Sequence, residues 1–236
     1  MQDAPLLIET LGWDGQRLVR RTRHMARLAA SAAALGYSHD AEAVARILDS
    51  VGGPDPLRVR LTLDRQGGLD LTTAPMGPTA ALWRVALTPD RLDASDPWLR
   101  HKTTRRALYD RWRAALPQGV DEVLFANQTG QMAEGTITNL FFAASSSDDA
   151  PLFTPPLSDG CLPGCLRAEL LATGKCTERA LAVDDLGDIS LYCGNSLRGL
   201  IPAQLVTLEG ANDGPNTGPS PRPNNAPTAP RDIRAD

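Results

Sequence analysis

Lys102 and Lys175 are the only lysines among the 24 basic residues of this 236-residue chain, and Lys102 stands in the run Leu99-Arg100-His101-Lys102-Thr103-Thr104-Arg105-Arg106. A lysine kept where arginine is the rule points to amine chemistry. A crowded or buried amine sheds its proton and attacks a carbonyl, whereas a guanidinium stays protonated. His101, Arg105 and Arg106 supply cationic surroundings. A surface lysine at a helix start fits the same residues, so residue type alone leaves both readings open.

Three further stretches have chemistry to offer. Glu134-Gly135 interrupts an otherwise apolar pattern leading into Leu140-Phe141-Phe142. A carboxylate beside a glycine suits a ligand that approaches the backbone closely, and a hairpin-edge glutamate is the structural alternative. In Cys161-Leu162-Pro163-Gly164-Cys165-Leu166-Arg167, a helix beginning after Pro163-Gly164 would leave the N–H groups of Gly164, Cys165 and Leu166 directed at an anion. Gly194-Asn195-Ser196-Leu197-Arg198-Gly199 could add a hydroxyl and more amides. His24 and Arg27 lie on a helical pattern, where a structural histidine and a snorkelling arginine are the ordinary readings.

The elements that must hold these residues follow from periodicity. Residues 6–11 read as a strand, 13–16 as a turn and 17–19 as a returning strand, an early hairpin. Met25, Leu28, Ala29, Ala32 and Leu35 recur at spacings of three and four before Gly36, which predicts a helix from Thr22 with a glycine C-cap. A second helix spans about 40–51. Leu57, Val59, Leu61 and Leu63 alternate into a turn at 64–68 and a strand at 69–71, with one more strand at 83–87. Residues 1–92 thus read as a small α+β domain of two helices on antiparallel strands, with 90–97 as linker. Beyond Lys102 come a helix at 106–116, strands at 121–126, 131–142 and 152–154, the helix after Gly164 and a strand at 190–193. The segment from about 210, rich in Pro, Asn and Gly, reads as a disordered tail over 209–236.

Composition narrows the function classes. A net charge of -4 and a pI near 5.4, with no basic run, argue against a nucleic-acid partner. No basic leader and no apolar run of membrane-spanning length is present, so no membrane association and a cytoplasmic location are expected. Cys161, Cys165, Cys176 and Cys193 lack zinc-type spacing and a nearby histidine, so they read as free, mostly buried thiols of a reducing compartment and no metal is expected.

Taken in order, five segments resemble the class IV aminotransferase family, the fold-type IV enzymes of pyridoxal 5'-phosphate (PLP). They are His24-Met25-Ala26-Arg27-Leu28, His101-Lys102-Thr103-Thr104, residues 134–141, residues 162–167 and residues 195–202. The resemblance runs from about Leu6 to Val206 and implies an α+β architecture, with a strand-rich pseudobarrel over 98–208 carrying the lysine. It also implies a homodimer with the cofactor in the cleft between domains. By that resemblance Lys102 is the Schiff-base lysine and proton shuttle, Arg27 reaches the cofactor phosphate, and Glu134 pairs with the protonated pyridine nitrogen. Gly164, Cys165 and Leu166 hold the phosphate through amides together with Asn195 and Ser196. Ser196 stands where the family often has threonine, and Leu166 replaces a threonine, so only its amide can contribute.

Two departures bear on the reaction. The chain starts almost directly at Leu7-Ile8-Glu9-Thr10, without the strand and turn that come earlier in many members, and Ala107 stands where branched-chain aminotransferases place a tyrosine. Lyase-type members lack that tyrosine, and the short start, the His101-Lys102-Thr103-Thr104 element and the Asn195-Ser196-Leu197 run look most like the lyase domain found fused behind aminodeoxychorismate synthase, here expected to stand alone. The expectation is a 4-amino-4-deoxychorismate lyase acting on a small-molecule amine to release pyruvate and 4-aminobenzoate, with aminodeoxychorismate synthase as partner. A branched-chain or D-amino-acid aminotransferase, acting on an amino-acid substrate, is the alternative, and a non-catalytic family member the second one.

Overall fold

The computed structural model describes residues 4–78, 80–147 and 149–208, and the expected tail at 209–236 lies outside them. The described residues fall into two compact units, one from residues 4–78 and 97–107, the other from residues 80–96, 108–147 and 149–208.

In the first unit, β1 (Leu7–Trp13), β2 (Leu57–Leu63) and β3 (Leu69–Pro75) form an antiparallel sheet in that order. The predicted return strand at 17–19 shrinks to one bridge, Trp13 opposite Leu18, because β1 takes β2 as its full-length partner. Helix α1 (Arg21–Leu35) covers β1 and ends as predicted, Gly36 adopting φ 70 and donating its N–H to Ala32. Helix α2 (Ala41–Asp49) begins at Asp40, whose side chain accepts the N–H groups of Glu42 and Ala43. Leu7, Leu11, Leu28, Ala32, Leu48 and Leu61 make the core, each burial worth roughly 1.5–3 kcal/mol for the larger side chains. The outer edge of β1 is taken by the lysine segment. Leu7 faces Thr103, Ile8 donates to the Lys102 carbonyl at 2.8 Å, and Thr104 donates to Leu6 at 2.9 Å.

The second unit is a mixed sheet that closes on itself. Its strands are β4 (Trp83–Leu92), β5 (Glu122–Asn127), β6 (Met132–Gly135), β7 (Asn139–Ala143), β8 (Phe153–Thr154), β9 (Thr177–Glu178), β10 (Ser190–Asn195) and β11 (Gly199–Val206). The order β10-β11-β4-β5-β6-β7 returns to β10 through β7, giving a six-stranded barrel, and β8 and β9 extend the sheet from β7. Leu140 and Phe142 face an interior shared with Leu124, Ala126, Met132 and Cys193. Phe141 and Ala143 face helix α4 (Cys165–Ala172) through Leu166 and Leu170. An uninterrupted apolar run is what a strand buried on both faces requires. Helix α3 (Ala107–Ala114) precedes β5.

These facts move two expected boundaries. Trp83–Leu92 was expected in the small domain, yet it pairs in parallel with β11 and β5, because its buried apolar positions match the barrel wall. Residues 97–107, expected with the pseudobarrel, belong to the first unit through the pairing of 102–104 with β1.

Candidate active site

The first unit gathers an ionic cluster around Glu9. This carboxylate is 1% exposed and sits between Leu7 and Leu11 on the apolar face of β1. Arg27 grips it with a fork, Nε to Oε1 at 2.9 Å and Nη2 to Oε2 at 2.6 Å, while His24 Nδ1 meets Oε2 at 2.6 Å. A carboxylate offers only acceptors, so Nδ1 carries the proton in this contact. Burial pushes the Glu9 pKa up, but the Arg27 charge and the bonds from His24 and Arg27 outweigh it and hold the carboxyl below its usual range. Burial pulls His24 down against the opposing pull of Glu9, and the charges of Arg27 and Lys102 add to the lowering.

Lys102 is therefore near enough for its charge to be felt at His24. His101 meets Ser31 of α1, its Nδ1 lying 3.0 Å from the Ser31 Oγ. Arg27 and Lys102, chosen from the sequence, thus share one unit with Glu9, which was not chosen. The signal for Glu9 was available: one acid at an i, i+2, i+4 position between two leucines of a strand.

The second unit holds the remaining candidates. Glu134 faces Phe125 across the β5–β6 pair, but the next pair is Met132 with Ala126, so Ala133 is an extra residue in β6. This bulge turns Glu134 away from the interior that Met132 occupies. There its Oε1 accepts the Tyr109 hydroxyl at 2.7 Å and its Oε2 the Leu162 N–H at 2.8 Å. Tyr109 is fixed edge-on against Phe125, with ring centroids 5.1 Å apart. Only 7% of Glu134 is exposed.

Leu162 leads into the helix start. Asn139 donates from Nδ2 to the Leu162 carbonyl at 2.8 Å, and a Cβ on Gly164 would lie 1.9 Å from Asn139 Oδ1, so only glycine fits there. Gly164 is the N-cap of α4, where no side chain caps the first turn formed by Cys165 and Leu166, but its own N–H, expected to face an anion, goes to the Leu162 carbonyl at 2.8 Å. Leu166 also approaches Gly194, where a Cβ would come 3.1 Å from Leu166 Cδ2. The loop after β10 is thereby brought beside the α4 start. In it Asn195 Oδ1 accepts the N–H groups of Leu197 and Arg198, at 3.0 and 2.9 Å, bending the chain at Ser196. Asn195 Nδ2 donates to the Ile137 carbonyl at 3.2 Å.

Glu134, Gly164, Cys165, Leu166, Asn195 and Ser196 are thus neighbouring parts of one unit. Tyr109 and Asn139 were missed, since neither spacing nor composition distinguishes them from packing residues. All four cysteines are free and buried, and burial pushes the Cys176 thiol up to about 12 and Cys193 up as well. Among the described residues no helix is long and apolar enough to cross a membrane.

A dipole-bearing helix start suits a phosphate, and a buried carboxylate suits a protonated ring nitrogen. The donor set of this unit therefore fits the two polar ends of PLP.

Comparison with known proteins agrees. A family model described as amino-transferase class IV matches residues 6–206. A Schizosaccharomyces pombe protein provisionally named an aminodeoxychorismate lyase is 30% identical over 181 residues, 73% of this chain and 75% of that protein. The aminodeoxychorismate lyase of Saccharomyces cerevisiae is 31% identical over 130 residues, 49% of this chain and 33% of the yeast protein. A crystal structure from Mesorhizobium loti, of a protein provisionally named an amino-acid aminotransferase, is 44% identical with a TM-score of 0.77, covering 86% of this chain and 100% of that one. With the family's segments in order along a match that spans residues 6–206, the chain belongs to the class IV aminotransferases, a family of PLP-dependent enzymes.

Proposed function

We propose that the protein binds PLP and acts as a 4-amino-4-deoxychorismate lyase, releasing pyruvate and 4-aminobenzoate. The carrying observation is the buried Glu134 carboxylate, held at both oxygens and linked through Leu162 to the uncapped start of α4. PLP supplies an aldehyde that condenses with an amine and a ring that draws electrons from the carbon beside that nitrogen. Glu134 would hold the ring nitrogen protonated. The Cys165 and Leu166 amides, with Ser196 and the Asn195 turn, would take the phosphate, the Gly164 N–H being given to the Leu162 carbonyl at 2.8 Å, and Arg27 is the residue that the family resemblance assigns to the same group.

Lys102 would anchor the cofactor at rest and, once displaced by the substrate amine, act as base and acid. Its neutral amine removes the proton from the ring carbon bearing nitrogen. The C–O bond to the enolpyruvyl group breaks, the methylene of the departing pyruvate gains a proton, and the six-membered ring becomes aromatic. Support for this outcome comes from the two yeast relatives and from Ala107, which leaves no tyrosine at that place. The reading carries with it a homodimer in the cytoplasm, supplied by aminodeoxychorismate synthase.

One observation favours a second reading. The M. loti relative, provisionally named an amino-acid aminotransferase, is 44% identical. Both reactions begin with the same proton removal by Lys102, so one assay separates them. The enzyme is given aminodeoxychorismate, then leucine or D-alanine with 2-oxoglutarate, and 4-aminobenzoate is followed against amino-group transfer. The lyase yields 4-aminobenzoate and leaves the amino acids untouched, whereas transfer from leucine without 4-aminobenzoate establishes the aminotransferase. Borohydride reduction and peptide mapping should attach the cofactor to Lys102. Label on Lys175, or none, refutes the assignment and supports a non-catalytic member.

A further inference from the structure

Glu122, which the proposed chemistry does not use, lies at the start of β5 and is 0% exposed. Its face of the strand is that of Leu124 and Ala126, so it closes one end of the barrel interior. Four donors converge on it. Oε1 accepts the Thr136 hydroxyl and the Val123 N–H, the latter at 3.1 Å. Oε2 accepts the Ile137 N–H at 3.1 Å and the Thr138 hydroxyl at 3.2 Å. Arg113 stands 3.7 Å away as counter-charge. Burial pushes the Glu122 pKa up, against the hydrogen bonds that lower it.

Three of these donors belong to the turn 135–138 between Glu134 and Asn139. A Cβ on Gly135 would lie 2.9 Å from the Glu122 carboxyl carbon and 2.6 Å from Thr138 Oγ1, so the turn closes on the carboxylate only because residue 135 is glycine. Both ends of the turn lead to the cofactor elements. Ile137 accepts Asn195 Nδ2, Asn139 holds the Leu162 carbonyl, and Leu162 donates to Glu134.

We propose that Glu122 is a positioning residue: by tying down the turn 135–138 it sets the places of Glu134 and of the Asn195 loop for a cofactor. The proposal rests on the PLP reading above. It requires a carboxylate, because each oxygen faces a backbone N–H that cannot reverse, and an amide in either orientation would set N–H against N–H.

The test compares the full-length parent with E122Q, T138V, E134Q and the double variant E122Q/E134Q. Apo-protein is titrated with PLP, kcat is measured, and amide hydrogen exchange is mapped without cofactor. E122Q should weaken PLP binding about tenfold and lower kcat about tenfold. In the E134Q background the further loss in kcat should be under about twofold, since the group being aimed has already lost its function. Exchange should rise in residues 134–139 and 195–198, with β10 and β11 otherwise unchanged. A lower apo thermal midpoint with unchanged affinity, kcat and exchange in those segments would make the role merely structural and overturn the proposal. If E122Q does not fold, T138V removes one donor and should weaken PLP binding about threefold, and equal affinity overturns the proposal. Should the parent itself fail to bind PLP, the cofactor reading falls, and exchange in E122Q or T138V alone decides whether Glu122 holds the turn.

Discussion

Replacing Glu9 with glutamine isolates the energetics of the first unit. Arg27 Nε donates to one oxygen and Nη2 to the other, so an amide NH2 in either orientation faces an arginine N–H. His24 can change tautomer to accommodate it, but the guanidinium cannot. One charge-assisted bond is lost, and the Arg27 side chain, 11% exposed, loses the negative charge that Glu9 supplied. Breaking a buried pair from one side costs about 3–5 kcal/mol, and the residual exposure of Arg27 places the cost near the lower end, about 3 kcal/mol. For a chain of this size that corresponds to a fall of roughly 6–12 °C in Tm.

The pH dependence has a definite sign. The folded-state pKa of Glu9 lies below its unfolded value, so the pair contributes fully above the unfolded value of about 4.3 and is lost as pH falls through the lower, folded one. Glutamine does not titrate, and above about pH 7 His24 is neutral in both states. Urea unfolding followed by far-UV circular dichroism should therefore show a gap between parent and Glu9→Gln of about 3 kcal/mol at pH 8 that narrows below about pH 4. A gap under about 1 kcal/mol at pH 8, or one that persists unchanged to about pH 2, would refute this account of the cluster.

Tyr109→Phe keeps the ring against Phe125 and removes only the donor to Glu134, so kcat should fall about tenfold with Tm little changed; equal turnover would detach Tyr109 from the site. Gly164→Ala drives a methyl into Asn139 Oδ1, and stability should drop by about 1–3 kcal/mol together with PLP affinity, read by thermal melts and cofactor titration. Arg27→Ala should weaken PLP binding by about 1.5–3 kcal/mol and also destabilise the apo-protein, because Glu9 is left buried without its fork. Identical PLP affinity in that variant and the parent would remove Arg27 from the phosphate site.

Local signals carried much of the fold. Gly36 needs the left-handed conformation that ends α1, Asp40 supplies the acceptor that starts α2, and the leucine and valine alternation of β2 fits a half-buried strand. Each depends on a few adjacent residues, which is why a reading of the chain could place them. The partner of β1 was not local, since Leu18 lies within hairpin reach yet β2 offers seven paired residues. Nor was the membership of β4, whose apolar pattern suits either sheet until β5 and β11 flank it.

The site divides in the same way. The amino-acid sequence by itself determined which groups are present: a lysine amine among arginines, a carboxylate beside a glycine, and a helix start after Pro163-Gly164. Their order along the chain sufficed to reveal the family. Tertiary structure decided where those groups point and what holds them. Alternation from Met132 would have put Glu134 into the apolar interior, and only the extra residue at Ala133 turns it towards Tyr109. Glu9 in the first unit, and Tyr109, Asn139 and Glu122 in the second, show their partners only once residues 15 to 25 positions apart are packed together, since a buried charge or amide declares its role only through the groups that compensate its lost hydration.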